Sequence, residues 1–136
     1  MRATNTSSDG TIDFKPVFEY LNKELQKIEQ TLNLVCAGGY VMQLHGYRAS
    51  ADVDAFYVSN AELDEIIHHV GEVFDINKPD ELWLNNSIAN KNPKPPDEYI
   101  KPVYEFSNLT INAVDIIYPD VSSFRILSDL KAILEQ

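Results

Sequence analysis

The sequence predicts a single small domain of the α+β or α/β class, and three observations lead to this prediction. The chain has 136 residues, which is enough for one hydrophobic core but not for two. Its hydrophobic fraction of 44% is normal for a globular protein, and no apolar run approaches the roughly 20 residues that span a bilayer. Segments with helical and with strand periodicity alternate in the order α-β-α-β-α, and a loop and then β-β-α follow.

Three helices and two strands are predicted in the first half of the chain. In the first and third helices apolar residues recur at three- and four-residue steps, which indicates amphipathic helices with one face on a core. Asp13 is a suitable N-cap for the first helix, Ser59-Asn60 supplies a break and an N-cap for the third, and Gly46 ends the short helix between them. The predicted helices span residues 13–31, 39 or 40 to 45, and 61–74, and the predicted strands span residues 34–37 and 52–58.

Residues 77–102 are predicted to form a long loop, because they contain five of the seven prolines of the chain. We expect this loop to be the most mobile element, with one short turn around Trp83. The predicted elements after it are two antiparallel strands over residues 103–106 and 109–118, and a last helix from residue 122 or 123 to residue 134.

The amino-terminal residues and the single cysteine bear on the location of the protein. Residues 1–10 are polar and lack the apolar stretch of a secretory signal, so we expect a cytoplasmic protein, with residues 1–12 disordered. Cys36 lies in an apolar run, which predicts a small core residue rather than a reactive thiol.

The charge of the chain argues against a broad nucleic-acid-binding surface. The formal net charge is −10, which repels polyanions over long distances. The densest basic stretch, residues 91–101, holds only three lysines, and Asp97 and Glu98 lie between them. Contact with the end of a tRNA is the one nucleic-acid role that stays open.

The most informative feature of the sequence is a pair of aspartates one residue apart. Asp52 and Asp54 follow Gly38-Gly39, with twelve residues between Gly39 and Asp52. Side chains at positions i and i+2 of a strand leave the same face, so both carboxylates point the same way. Two such groups form a hard oxygen site for a divalent cation, and the glycines suit a phosphate.

A third acid, Asp115, lies in the apolar second strand of the late pair. If this strand is adjacent to the one that carries Asp52 and Asp54, the three carboxylates could converge; alternatively, Asp115 pairs with a lysine or marks the strand end before Pro119. Two carboxylates about 4 Å apart repel by roughly 4 kcal/mol at an effective dielectric constant near 20. A convergent cluster therefore needs a bound cation, a raised pKa or a nearby arginine, and Mg²⁺ is the natural cation.

Residues 35–54 resemble the signature of the nucleotidyltransferase superfamily, in which a glycine pair is followed by Arg-x-Ser/Thr-x-Asp-x-Asp. The likeness is greatest to small bacterial proteins of unassigned function with the polymerase-beta-like fold, some of them related to toxin-antitoxin nucleotidyltransferases. Residues 83–85 and 124–131 are also similar to this family. The resemblance implies an α+β fold in which helices flank a mixed β-sheet. The matching residues of the signature are Gly38, Gly39, Arg48, Ser50, Asp52 and Asp54.

The same resemblance implies Mg²⁺-dependent transfer of a nucleoside monophosphate from an NTP to a hydroxyl acceptor. Gly38 and Gly39 would let the main chain approach the triphosphate at a helix N-terminus. Asp52 and Asp54 would hold the metals. Asp115 would be the third acid, a metal ligand that also activates the acceptor hydroxyl. The family pattern matches Asp115 only by its strand and order.

Other residues of the implied site leave alternatives open. Arg48 either binds the phosphates or pairs with a surface acid, and Ser50 either bonds a phosphate or caps the turn. Gly39 replaces the serine that is common in active transferases, which removes one hydroxyl contact to phosphate. Trp83 and Tyr99 either stack on a base or cover the core. The competing function is a catalytically inactive module that binds a nucleotide or a partner protein, such as a toxin-antitoxin component.

Overall fold

A five-stranded mixed sheet lies at the centre of the structure, a computed structural model that describes residues 12–47, 49–90 and 92–115. Its elements, in chain order, are α1 (Lys15–Lys27), β1 (Leu32–Ala37), α2 (Gly39–Leu44), β2 (Val53–Phe56), α3 (Ala61–Phe74), β3 (Leu84–Asn85), two 3₁₀ helices (Ser87–Asn90 and Asp97–Tyr99), β4 (Ile100–Glu105) and β5 (Leu109–Val114).

The strand order in the sheet is β3-β2-β1-β5-β4. β1 is parallel to β5 and antiparallel to β2, while β2 is parallel to β3 and β4 is antiparallel to β5. The described residues therefore have the predicted α+β character, with helices and a mixed sheet. The two late strands form the predicted antiparallel pair, although β4 begins three residues earlier than expected.

Helix α1 is shorter than the predicted helix over residues 13–31. Asp13 precedes the helix, and its Oδ1 accepts a hydrogen bond from the Lys15 main-chain N–H at 3.1 Å, so it orders the entry without being the N-cap residue. The helix ends at Lys27 because Glu29 adopts a positive φ of 55°, which breaks the helical path. Its buried face consists of Val17, Phe18, Leu21 and Leu25.

Helix α3 spans the residues that the sequence predicted. The Asn60 side chain caps it by accepting a hydrogen bond from the Leu63 main-chain N–H at 2.8 Å. The helix ends where Asp75 takes a left-handed conformation. Leu63, Ile67 and Val70 face the sheet and are buried.

The main core lies between one face of the sheet and helices α1 and α3. β1 contributes Leu34 and Cys36 to this core, whereas Val35 and Ala37 point to the opposite face, as the alternation of a strand requires. On that opposite face a smaller cluster forms with Ile88 and Tyr99 from the segment after β3. Tyr99 therefore takes the core-covering role that the sequence left open.

The segment over residues 77–102, predicted as a long loop, contains β3, both 3₁₀ helices and the start of β4. Trp83 explains much of this order, because its side chain is fully buried and its rings pack against Phe14 and Phe18. The Trp83 indole Nε1 donates to the Ile67 carbonyl oxygen at 2.8 Å, which satisfies its polar atom. The alternative that Trp83 stacks on a base is therefore wrong.

Several predictions concern residues at or beyond the ends of the described part. Ile12 was expected to be disordered, but it is half-buried, and its carbonyl oxygen accepts a hydrogen bond from Gln43 Nε2 at 2.7 Å. Residues 1–11, Arg48 and the predicted last helix lie outside the described residues. Within the described residues, no helix has the length and apolar character needed to cross a membrane.

Candidate metal site and cleft

Two of the predicted acids and one unpredicted acid come together at the start of β2. Asp54 lies in the strand, and Asp52 directly precedes it. One carboxylate oxygen each from Asp52, Asp54 and Glu81 lie within 4.8 Å of one another, and all three residues are half-buried. The structure therefore brings the predicted pair together, and Glu81 completes a group of three.

A tight turn over residues 78–81 places Glu81 in this group. The main chains of Lys78 and Glu81 exchange two hydrogen bonds, of 3.0 and 3.4 Å, around Pro79 and Asp80. Proline is common at the second position of such a turn, because its ring fixes φ at the value that this position requires. A Pro-Asp pair in the sequence indicates a turn, but nothing local indicates that this turn faces Asp52.

Asn77 anchors the turn to helix α3. Its Nδ2 donates to the His68 carbonyl oxygen at 2.9 Å, and its Oδ1 accepts from the Trp83 main-chain N–H at 3.2 Å. Gly71 makes room for this amide, since a Cβ at position 71 would overlap it. These hydrogen bonds fix Asn77, which directly precedes Lys78, and so they fix the start of the turn.

Lys78 forms an ion pair with the acid group. Its Nζ lies 3.0 Å from Asp52 Oδ2, and the side chains of Lys78 and Asp52 are 44% and 20% exposed. The hydrogen bond to Asp52 raises the pKa of Lys78 above its usual value, and the charge of Asp52 adds to this effect. Lys78 is therefore a positively charged partner of the acids, and no local pattern in the sequence predicts this pairing.

The Gly38 bend lies directly against Asp54. Ala37, the last residue of β1, pairs with Asp54, and Gly38 follows with φ 64° and ψ −141°. A Cβ added at Gly38 would lie 2.9 Å from Asp54 Oδ2, which is closer than real Cβ contacts. Bare main chain and a carboxylate therefore meet, as the glycine-to-aspartate spacing predicted.

An open cleft of about 310 Å³ extends from the acid group towards α2. Ser50 lines it but uses its polar groups within the chain: Oγ donates to the Asp52 carbonyl oxygen, and the main-chain N–H donates to Gln43 Oε1, both at 2.7 Å. Ser50 therefore shapes the turn before β2, and its hydroxyl oxygen can still accept a hydrogen bond. The described residues that line the cleft are Gly39, Ala49, Ser50, Ala51, Asp52, Asp54, Lys78 and Glu81.

Asp115 does not join the group of three acids. It follows β5, and β1 lies between β5 and β2, so the two strands are separated by roughly 10 Å, or two strand spacings. The register pairs Cys36 with Ala113, which places Asp115 at the same sheet edge as Gly38. Its main-chain N–H donates to the Tyr99 carbonyl oxygen at 2.6 Å. The predicted convergence needed adjacent strands, and the strand order does not provide them.

Cys36 is buried behind the acid group, as the sequence predicted. It is fully buried in β1 and pairs with Ala55, the residue after Asp54. Burial raises the pKa of the Cys36 thiol, and the negative charge of Asp54 raises it further. Such a thiol stays protonated, which excludes it as a nucleophile near neutral pH.

The donor set suits a hard divalent cation. Oxygens bound to one Mg²⁺ lie about 3 to 4 Å apart. Shifts of less than about 1 Å in each carboxylate oxygen would therefore let Asp52, Asp54 and Glu81 bind one ion. The group contains only carboxylates, and Mg²⁺, Ca²⁺ and Mn²⁺ prefer oxygen ligands whereas Zn²⁺ favours histidine and cysteine. The residues therefore fit a metal site of this class.

Comparison of the chain with protein-family models, with curated proteins and with solved structures gave no match. Membership of the nucleotidyltransferase superfamily therefore stays a prediction from the sequence.

Proposed function

We propose that the chain is a Mg²⁺-dependent nucleotidyltransferase with the polymerase-beta-like fold, which transfers a nucleoside monophosphate from an NTP to a hydroxyl acceptor. The observation that carries this proposal is an open cleft lined by Gly39, Asp52 and Asp54, in which the Asp54 carboxylate lies against the bend at Gly38. A site for metal-bound polyphosphate needs carboxylates for the metal next to a main chain that phosphate oxygens can approach closely.

The charges in the cleft explain why a divalent cation is needed. Three carboxylates and one ammonium group line it among the described residues, so it repels a polyanionic triphosphate on its own. Mg²⁺ held by Asp52, Asp54 and Glu81 would supply positive charge for the attacking and leaving oxygens. The missing side chain at Gly38 makes room for the Asp54 carboxylate, and Gly39, which lines the cleft, presents no side chain that would keep phosphate oxygens away.

The acceptor hydroxyl also needs a group that takes its proton. Asp115 lies at the same sheet edge, outside the group of three acids, and its role as the activating acid stays a prediction. A small molecule, a protein hydroxyl and a tRNA end are all open as acceptors. The net charge of −10 makes the nucleic acid the least favoured of them.

Pyrophosphate release tests the proposal. Purified protein is mixed with Mg²⁺, labelled NTPs and candidate acceptors, and we expect metal-dependent release that Asp54→Asn lowers by at least about 100-fold, because a metal ligand is lost. Glu65→Gln is the matched control, since it removes the same charge from an exposed position on α3. Asp115→Asn tests the activating acid. Release that Asp54→Asn leaves unchanged would exclude this reaction.

A second candidate is a catalytically inactive module that binds a nucleotide or a partner protein, such as a toxin-antitoxin component. The ion pair between Lys78 and Asp52 favours it, because a cation of the chain itself already balances one of the acids. In that case Mg²⁺ and NTP would raise the melting temperature while no pyrophosphate is released. A protein that binds neither would show no change in melting temperature.

A further inference from the structure

Lys78 is the only cation among the described residues that line the cleft. Its Nζ lies 3.0 Å from Asp52 Oδ2, so it binds a carboxylate that belongs to the candidate metal group. An ammonium group and a divalent cation repel each other at such distances, so each weakens the binding of the other to Asp52. Lys78 and a metal ion therefore compete for Asp52.

The architecture of the turn lets the Lys78 side chain leave while Glu81 stays. Both residues belong to the turn that Asn77 anchors, so their main chains are fixed relative to Asp52. The Lys78 side chain is 44% exposed and ends a flexible four-carbon stem, so breaking its ion pair requires no movement of the turn. One turn thus carries both a competing cation and a metal ligand.

A released Lys78 ammonium group still faces the cleft. A metal ion on Asp52 would reduce the attraction of that carboxylate for the ammonium group, which then lies beside the cleft that anions enter. The bare main chain at Gly39 lines the same cleft and leaves room for a polyphosphate beside the lysine. The ammonium group would bind such an anion as a charge-assisted hydrogen-bond donor.

We propose that Lys78 is a displaceable counter-ion that pairs with Asp52 in the metal-free protein and moves to a phosphate oxygen when a divalent cation binds. The first half requires only a metal site, and the second half rests on the proposed function. Two consequences follow: Lys78 weakens the binding of the metal alone, and it strengthens the binding of polyphosphate to the metal-loaded protein.

The first consequence is tested by titrating metal-free protein with Mg²⁺ or Mn²⁺ in a calorimeter. Lys78→Met keeps the aliphatic stem and removes the charge, and we expect it to bind the metal about two- to fivefold more tightly, the range that a partly exposed ion pair allows. Lys78→Arg keeps the charge and should match the wild type. Lys23→Met, at an exposed position on α1, controls for the change in net charge.

The second consequence is tested with inorganic tripolyphosphate at saturating Mg²⁺. We expect Lys78→Met to bind it about three- to tenfold more weakly than the wild type, with Lys78→Arg close to the wild type and Lys23→Met unchanged. Tighter metal binding together with weaker tripolyphosphate binding is a pair of opposite effects that a merely structural ion pair would not produce.

Three results would overturn the inference. Metal affinity that changes no more in Lys78→Met than in Lys23→Met would exclude competition for Asp52. Unchanged tripolyphosphate binding would exclude the transfer to phosphate. Absence of metal binding by the wild type would exclude both. These readouts do not depend on turnover, so a protein that releases no pyrophosphate but shows both affinity changes contradicts the enzymatic proposal and supports the counter-ion.

Discussion

Two features of position 38 require a glycine rather than any other residue type. Its φ of 64° with ψ of −141° belongs to a region that side chains with a Cβ strongly disfavour. Its Cα faces Asp54 Oδ2 so closely that a methyl group would displace the carboxylate. The first constraint concerns stability, and the second concerns the geometry of the acid group.

The substitution Gly38→Ala separates these constraints when it is compared with Gly46→Ala. We expect Gly38→Ala to lower the free energy of unfolding by about 1–3 kcal/mol and to weaken Mg²⁺ binding by about tenfold, because Asp54 must move. Gly46 also has a positive φ, of 76°, but a Cβ there would touch nothing within 4 Å. Gly46→Ala should therefore cost about 1 kcal/mol and leave Mg²⁺ binding unchanged. Chemical denaturation and calorimetric titration measure both effects, and equal loss of Mg²⁺ binding in the two variants would contradict the contact.

Residues of the site could be predicted from the sequence only where they lie close to one another along the chain. The Gly38 bend and the Asp52-Asp54 pair are separated only by the short helix α2, so their encounter follows from a strand, a short helix and a returning strand. Glu81 and Lys78 reach the same place through a turn that follows α3, and no spacing in the sequence reports that approach.

Among the elements, the turn over residues 78–81 depends on the fit between Gly71 and Asn77. A methyl group at Gly71 would overlap the Asn77 amide, which donates to His68 and accepts from Trp83. We expect Gly71→Ala and Asn77→Ala each to lower the free energy of unfolding by about 2 kcal/mol, the first by overpacking and the second by loss of hydrogen bonds.

The double substitution tests whether these losses have the same cause. In Gly71→Ala/Asn77→Ala the new methyl group occupies space that the amide has left, so the combined loss should be smaller than the sum by at least about 1 kcal/mol. Urea denaturation of the four proteins gives this coupling energy. Additive losses would show that the amide does not occupy the space above Gly71.

Elements with strong local signals were predicted well, and elements held by distant contacts were not. Helix α3 has a clear apolar periodicity and a capping asparagine, so both its ends were found. The segment over residues 77–102 has weak periodicity and many prolines, and its order comes from the burial of Trp83 and from pairing of β3 with β2. Such contacts join residues far apart in sequence, which local patterns cannot report.

At the scale of the whole molecule, the strand order decides which acids can act together. β1 occupies the centre of the sheet, with β2 on one side and β5 on the other, so Asp54 and Asp115 flank it at the same edge. The sequence predicted both strands and the pairing of β4 with β5, but not that β1 lies between β5 and β2, because pairing of strands far apart in sequence is a property of the assembled fold. This order keeps Asp115 out of the group formed by Asp52, Asp54 and Glu81.

The buried thiol of Cys36 makes the stability of the whole molecule depend on pH on the alkaline side. Burial raises its pKa above the ordinary value of 9.0, so above pH 9 the unfolded chain loses a proton that the folded chain retains. Stability is therefore greatest below pH 9 and falls above it, by roughly 1 kcal/mol between pH 8 and pH 10 from this group alone. Burial also raises the pKa of Tyr40 and of Tyr57, whose ordinary value is 10.0, so they add to the fall at higher pH.

Cys36→Ala isolates the contribution of the thiol. The variant is expected to be less stable than the wild type at pH 8, because a buried side chain is shortened, but to lose roughly 1 kcal/mol less between pH 8 and pH 10. Urea denaturation at the two pH values, with a reductant present, gives the four free energies of unfolding. Equal losses in the two proteins would mean that the thiol ionises in the folded state, which requires water or a cation next to Cys36 in the core behind Asp54.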